Sequence, residues 1–184
     1  MKKVGVLASY NGSTFKRLQE ALLSGELKGF EVVVVISNNT NAAVLESAKN
    51  YGIKTRVINQ KTDKNPDEAL LEALSGCDIV LLSGYMKKLS AKLVDSFFII
   101  NSHPALLPNY GGEGMYGRFV HEAVIKNKET YSGTTFHKID EEYDKGEILL
   151  QKSFKLSSDE SVDSLEQKVK QLEQDSVVEL FLSL

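Results

Sequence analysis

The sequence predicts an α/β protein: a mostly parallel sheet with helices on both faces and an antiparallel C-terminal extension. Three observations carry this. Short apolar runs such as FEVVVVIS at 30–37 and CDIVLLS at 77–83 have the length and continuity of strands buried on both faces. Between such runs lie amphipathic stretches, opened by polar residues and closed by glycines, which read as helices. Beyond residue 130, two runs separated by a short acidic loop predict an antiparallel pair.

In chain order, Lys3 to Ser9 is the first strand and Tyr10-Asn11-Gly12-Ser13 a turn. Ser13 or Thr14 caps the next helix, in which Phe15, Leu18, Ala21 and Leu22 recur at helical spacing. Phe30 to Ser37 is the second strand, Ala42 to Asn50 a helix closed at Gly52, and Lys54 to Ile58 a short third strand. A polar loop from Asn59 to Pro66 leads to a helix from Asp67 to Leu74, then a fourth strand from Asp78 to Ser83. Ser90 caps a short helix, and Phe97 starts the fifth strand, in FFIINSHPALLP. Arg118 to Lys126 is a helix carrying His121, read as a surface or packing residue. Tyr131 to Asp140 and Ile148 to Phe154 form the antiparallel pair around the loop Glu141 to Gly146. Ser157 to Leu184 is the last helix, with Val162, Leu165, Val169, Leu172, Val177 and Leu180 as its apolar stripe. With no linker or repeat, residues 1–184 read as a single domain.

Composition narrows the function classes. A formal net charge of -3 offers no general attraction to nucleic acid or an anionic membrane. No apolar run approaches the roughly 20 residues of a membrane span. One cysteine, Cys77, forms no internal disulfide, which predicts a reducing, cytoplasmic setting. No CxxC, HExxH or HxH spacing is present, so no metal is expected. The absence of GxSxG, GxGxxG and Walker A patterns argues against a hydrolase elbow, a dinucleotide and ATP. The oligomeric state is left open.

The chemistry concentrates around the fifth strand. Asn101 and His103 are two apart, so extended backbone points both side chains to one side. Pro104 and Pro108 stiffen the exit. An acid from the loop bounded by Gly146, with Asp144 as candidate, reaches back to the imidazole; the resulting ion pair raises the histidine pKa. A cationic imidazole beside an amide N–H stabilises an oxyanion at a carbonyl carbon. The plain alternatives are a solvated histidine and a solvated turn aspartate. At the other end of the chain, the strand–turn–helix at Gly12 to Thr14 offers backbone N–H groups to a phosphate, or is an ordinary βα turn.

The motifs NGS at 11–13, ISNN at 36–39, LLSGYMKKLS at 81–90, INSHPALLP at 100–108 and SGTTFHKIDEEYDKGEILLQK at 132–152 together resemble the phosphoribosylglycinamide formyltransferases, a folate-dependent formyltransferase family of purine biosynthesis. The resemblance runs from Val4 to about Val177. It implies a Rossmann-like formyltransferase fold. It implies transfer of the formyl group of 10-formyltetrahydrofolate to the amine of glycinamide ribonucleotide, with both small molecules as partners and no metal. Asn101, His103 and Asp144 match the catalytic trio, and Gly12, Ser13 and Thr14 the phosphate turn. Met86, Lys87, Lys88 and Leu89 match the segment lining the folate pocket. Asn101 and the stretch from Ile139 and Asp140 to Asp144 match the loop region that holds the pterin. Glu173 matches an acid contacting the ribosyl substrate. Related readings are a sugar-amine formyltransferase and a non-catalytic folate- or nucleotide-binding module. A tRNA-directed relative would bring a further C-terminal domain, and a deformylase an N-terminal one. Tyr10 departs from the usual glycine of the phosphate turn, so either its side chain points away from the phosphate or the turn shifts. EGMYGR at 113–118 replaces a histidine-rich pattern, and the arginine expected after the third strand has no counterpart between Asn59 and Asp67.

Overall fold

The structure, a computed structural model, describes residues 1–140, 142 and 144–184. The chain forms two compact units, Met1–Ile100 and Asn101–Leu184.

The first unit alternates strands and helices: β1 (Lys2–Leu7), α1 (Ser13–Ser24), β2 (Phe30–Ser37), α2 (Ala43–Asn50), β3 (Lys54–Val57), α3 (Pro66–Ala73), β4 (Ile79–Leu82) and α4 (Ala91–Ser96). Its strands run parallel in the order β3-β2-β1-β4. The continuous apolar runs follow from that arrangement: every residue of β4, and all but three residues of β2, are buried. The chain goes outward from β1 to β2 and β3, then returns to the far side of β1 as β4. This reversal is the switch point at which open parallel sheets hold ligands, beyond the strand C-termini. The turns after β1 and β4 lie at that edge.

β5 (Phe98–His103) carries the chain from the first unit into the second. The second unit continues with α5 (Arg118–Lys126), β6 (Tyr131–Lys138), β7 (Ile148–Lys155) and α6 (Val162–Leu182). β6 and β7 pair antiparallel, from Tyr131 opposite Lys155 to His137 opposite Ile148, with a bulge that leaves Leu149 unpaired. α5 and α6 close over Val124, Leu165 and Val169, against which Tyr110, Ile125, Phe154 and Leu156 pack. The fold class is therefore α/β, mostly parallel with an antiparallel C-terminal pair, as expected. Among the described residues, no helix is long and apolar enough to cross a membrane.

Four helix starts differ from expectation, the slightest being α2, which begins at Ala43 with Ala42 as its cap. Neither Ser13 nor Thr14 caps α1: Gly12 is the cap, at φ 61, and has no side chain to give. Its left-handed conformation turns the chain into the helix early, making Ser13 the first helical residue. α3 starts at Pro66, because Asn65 accepts the Glu68 N–H and proline is tolerated in a first turn. α6 starts at Val162 rather than Ser157, because Ser161 and Ser164 cap it reciprocally. Ser90 caps α4 as expected, through the Leu93 N–H.

Candidate active site

In the second unit, the strand β5 extends through His103. Asn101 and His103 thus lie in extended backbone and share one side, while Ser102 faces the other. His103 is 3% exposed. Its Nε2 lies 2.7 Å from the Tyr110 carbonyl oxygen. A carbonyl only accepts, so Nε2 carries the proton and donates it. Nδ1 faces Asp144 Oδ2 at 3.6 Å.

Asp144 sits in the turn between β6 and β7, at φ 56. Its Oδ2 accepts the Gly112 N–H at 2.9 Å. Its Oδ1 lies 3.4 Å from His137 Nε2. That same nitrogen is 3.2 Å from Asn101 Nδ2, while His137 Nδ1 is 3.2 Å from the Lys138 carbonyl. With its proton on Nδ1, His137 accepts from Asn101; with a proton on Nε2, it donates to Asp144. The bulge opposite His137 bends the end of the β6–β7 pair, as bulges beside sites do.

The three candidates Asn101, His103 and Asp144 therefore cluster, and His137 joins them. His137 was not among the expected site residues. Its signal was present: a histidine one residue from the C-terminal end of a strand, just before the acidic loop.

The electrostatics correct one expectation. Burial pushes the His103 imidazole below its ordinary value. The Asp144 carboxylate and the Tyr110 carbonyl raise it but do not offset the burial, and His137 lowers it further. The ion pair does not win, because the ring is almost wholly removed from water. For Asp144, burial pushes the carboxyl up, but His137, His103 and the Gly112 N–H outweigh it and hold it below the usual aspartate range.

Glu173, on α6, lies on the other face of β5. Its carboxyl accepts from the Ser102 hydroxyl at 2.5 Å, and burial pushes its pKa up to about 7. His121 is buried, 2% exposed, which makes it a packing residue. Ile139 is half-buried and Asp140 exposed; the Asp140 side chain accepts the Glu142 N–H at 2.9 Å. Within the loop stretch carried from Ile139 to Asp144, Glu141 and Tyr143 lie outside the described residues.

The remaining candidates belong to the first unit. At the start of α1, the Ser83 hydroxyl takes the Phe15 N–H at 3.2 Å, and the Gly12 carbonyl takes the Lys16 N–H at 3.0 Å. With no side-chain cap, the Ser13 and Thr14 N–H groups are the donors this helix end offers an anion. Tyr10 projects outward, 62% exposed, while its carbonyl accepts the Val44 N–H. Met86, Lys87 and Lys88 are exposed and Leu89 is buried, in an irregular segment after β4. Ser9 ties these parts together. Its hydroxyl donates to Asn38 and accepts the Met86 N–H at 2.8 Å, and its carbonyl accepts from Asn39.

Comparisons with known proteins bear on the family and the fold. Residues 2–181 match the family model described as formyl transferase. The chain is 37% identical over 177 residues to the chloroplastic phosphoribosylglycinamide formyltransferase of Arabidopsis thaliana, covering 91% of this chain and 60% of that protein. It is 33% identical over 180 residues to the phosphoribosylglycinamide formyltransferase of Haemophilus influenzae, covering 94% and 82%. The crystal structure of glycinamide ribonucleotide transformylase 1 from Symbiobacterium toebii superposes with a TM-score of 0.89 at 26% identity, over 98% of this chain and 86% of that one. The chain thus spans about three-fifths of the length of its plant relatives. A match along nearly all of the chain, joined to a shared fold, settles its kinship: the chain belongs to the formyl transferase family.

Proposed function

We propose that the protein transfers the formyl group of 10-formyltetrahydrofolate to the primary amine of glycinamide ribonucleotide. The observation that carries this is the meeting of the buried His103 and His137 with the half-buried Asn101 and Asp144, in a chain whose relatives bear that activity in their names. Asn101, His103 and Asp144 are the catalytic residues of this reading.

The amine nitrogen attacks the formyl carbon, and the carbonyl π pair moves onto oxygen. The Asn101 amide has two N–H groups; one faces His137, and the second donates to the oxyanion. The nitrogen loses its extra proton through water to His103 Nδ1, the nitrogen without a proton in the resting ring. Asp144 then stabilises the imidazolium. As the tetrahedral adduct collapses, the bond to N10 breaks and the proton passes to N10, releasing tetrahydrofolate. A ring whose pKa is lowered by burial is suited to take that proton and return it.

In the same reading, the Ser13 and Thr14 N–H groups, with Gly12 allowing the turn, hold the substrate phosphate. Met86, Lys87, Lys88 and Leu89 line the folate site through their backbone, and Ile139 and Asp140 approach the pterin. Glu173 contacts the ribosyl group with the carboxylate capacity that Ser102 leaves. Residues 1–184 work as one functional domain, and Cys77, half-buried and unpaired, fits a reducing compartment such as the cytoplasm.

Incubating the purified protein with 10-formyltetrahydrofolate and glycinamide ribonucleotide is expected to yield tetrahydrofolate and the formylated ribonucleotide. Turnover of an amino sugar with no turnover of glycinamide ribonucleotide would replace this substrate; turnover of neither would make the chain a binding module.

A further inference from the structure

Tyr110 occupies an unusual place in the second unit. It has φ 56, a left-handed conformation uncommon for a tyrosine. Its carbonyl is the group that receives the His103 Nε2 proton. Two residues on, the Gly112 N–H binds Asp144 Oδ2. Between them, Gly111 passes so close to the acid that a Cβ there would stand 3.1 Å from the Asp144 Cβ and 2.6 Å from Leu107 Cδ2. Three consecutive residues therefore press on both members of the His103–Asp144 pair.

The other end of Tyr110 is anchored. Its hydroxyl donates to Glu129 Oε1 at 2.6 Å and accepts from Asn127 Nδ2 at 2.9 Å. Asn127 ends α5, and the tyrosine packs against Val124, Leu165 and Val169. The side chain is thus held at both its body and its tip, which maintains the left-handed backbone and points the carbonyl at His103.

We propose that Tyr110, anchored by Glu129 and Asn127, is a positioning residue that fixes the orientation of His103 and, through the segment to Gly112, of Asp144. Its kinetic consequence rests on the formyl-transfer reading above; its effect on the ring does not. The titratable groups that bear on His103 are Asp144, His137 and, more weakly, His121 on α5.

The test removes the anchor without touching the site. In Tyr110→Phe, which loses only the hydroxyl, the carbonyl is less firmly held. Because that carbonyl raises the His103 pKa, the ring is expected to titrate at lower pH by NMR in the ligand-free protein. Displacement of the pair is expected to lower kcat by about tenfold to a hundredfold with KM unchanged. Glu129→Ala should reproduce both effects, while Glu129→Gln, which still offers an oxygen to the hydroxyl, should retain more activity than Glu129→Ala. Wild-type titration and kcat in Tyr110→Phe would overturn the proposal. So would a lowered unfolding midpoint with an unmoved His103 titration, since that marks a purely structural tyrosine. A shifted titration in a protein whose wild type transfers no formyl group would uphold the positioning role and overturn the proposed function instead.

Discussion

Asp144→Asn is the most informative single substitution, because it changes charge while keeping shape. The new amide oxygen still accepts the Gly112 N–H, so the turn is expected to persist. What is lost is the attraction between the carboxylate and an imidazolium 3.6 Å away. At that separation the Coulomb energy is roughly 1 kcal/mol at the dielectric of water and about 5 kcal/mol at an effective dielectric near 20. Both side chains are largely out of water, at 3% and 11% exposure, so the upper part of this range applies. If the imidazolium forms only as the amine is deprotonated, the whole interaction is felt in the transition state. At about 1.4 kcal/mol per tenfold, the rate falls by roughly fivefold at least and about four-thousandfold at most. Single-turnover formyl transfer at saturating substrates reads this directly. The same variant should titrate His103 at lower pH than wild type, because the partner that raises its pKa is gone. A rate equal to wild type, with His103 titrating unchanged, would refute both the pairing and the proton path drawn through it.

Two further outcomes follow from the structure. Gly12→Ala places a Cβ 2.4 Å from Val44 Cγ2 at a residue with φ +61, so it should destabilise by about 1–2 kcal/mol from the backbone and about 1–3 kcal/mol from overpacking, read as a lower denaturant midpoint; an unchanged midpoint would refute it. For Glu160, burial pushes the carboxyl up, but the Lys168 ammonium and the Ser164 and Ser157 groups outweigh it and hold its pKa at about 2 against an ordinary 4.5. Its folded pKa is depressed, so its contribution is complete above about pH 4.5 and is lost as pH falls toward 2. Glu160→Gln should therefore be less stable than wild type at pH 7 and converge with it near pH 2; a gap of equal size at both would contradict the shift.

What was legible in the sequence was what is local. The order of strands and helices follows from apolar periodicity, and the shared side of Asn101 and His103 follows from strand geometry. Helix starts were less legible, because Gly12, Asn65 and Ser161 each settle one by backbone conformation or a particular hydrogen bond. Asp144 lies 41 residues beyond His103, so no local pattern joins them; the family motif did. His137 carried a local signal, but its importance shows only where its Nε2 stands between Asn101 and Asp144. The sign of the His103 shift was out of reach, since burial depends on groups that only folding brings around the ring. The same holds for Ser83 at the head of α1 and for the Ser9 hydroxyl at the Met86 N–H, which join residues 68 and 77 positions apart.

The β6–β7 hairpin contains two places where a single methyl group has no room. A Cβ on Gly133 would fall 1.9 Å from the Lys152 carbonyl oxygen, and one on Gly146 would fall 1.7 Å from the Lys138 carbonyl oxygen. Hairpin registers are usually specified by which side chains prefer the interior. β6 cannot rely on that, since its six central residues are all buried and a slip would trade one interior face for another. Here exclusion replaces preference. Sliding β7 by one residue would bring Ser132 or Thr134 to a spot that accepts only hydrogen. The hairpin thus behaves like a ratchet with two teeth, one near each end, and the tooth at Gly146 lies two residues from Asp144. The placement of the Asp144 carboxylate is thereby set in part by neutral backbone volume, a restraint that carries no charge to be screened or titrated.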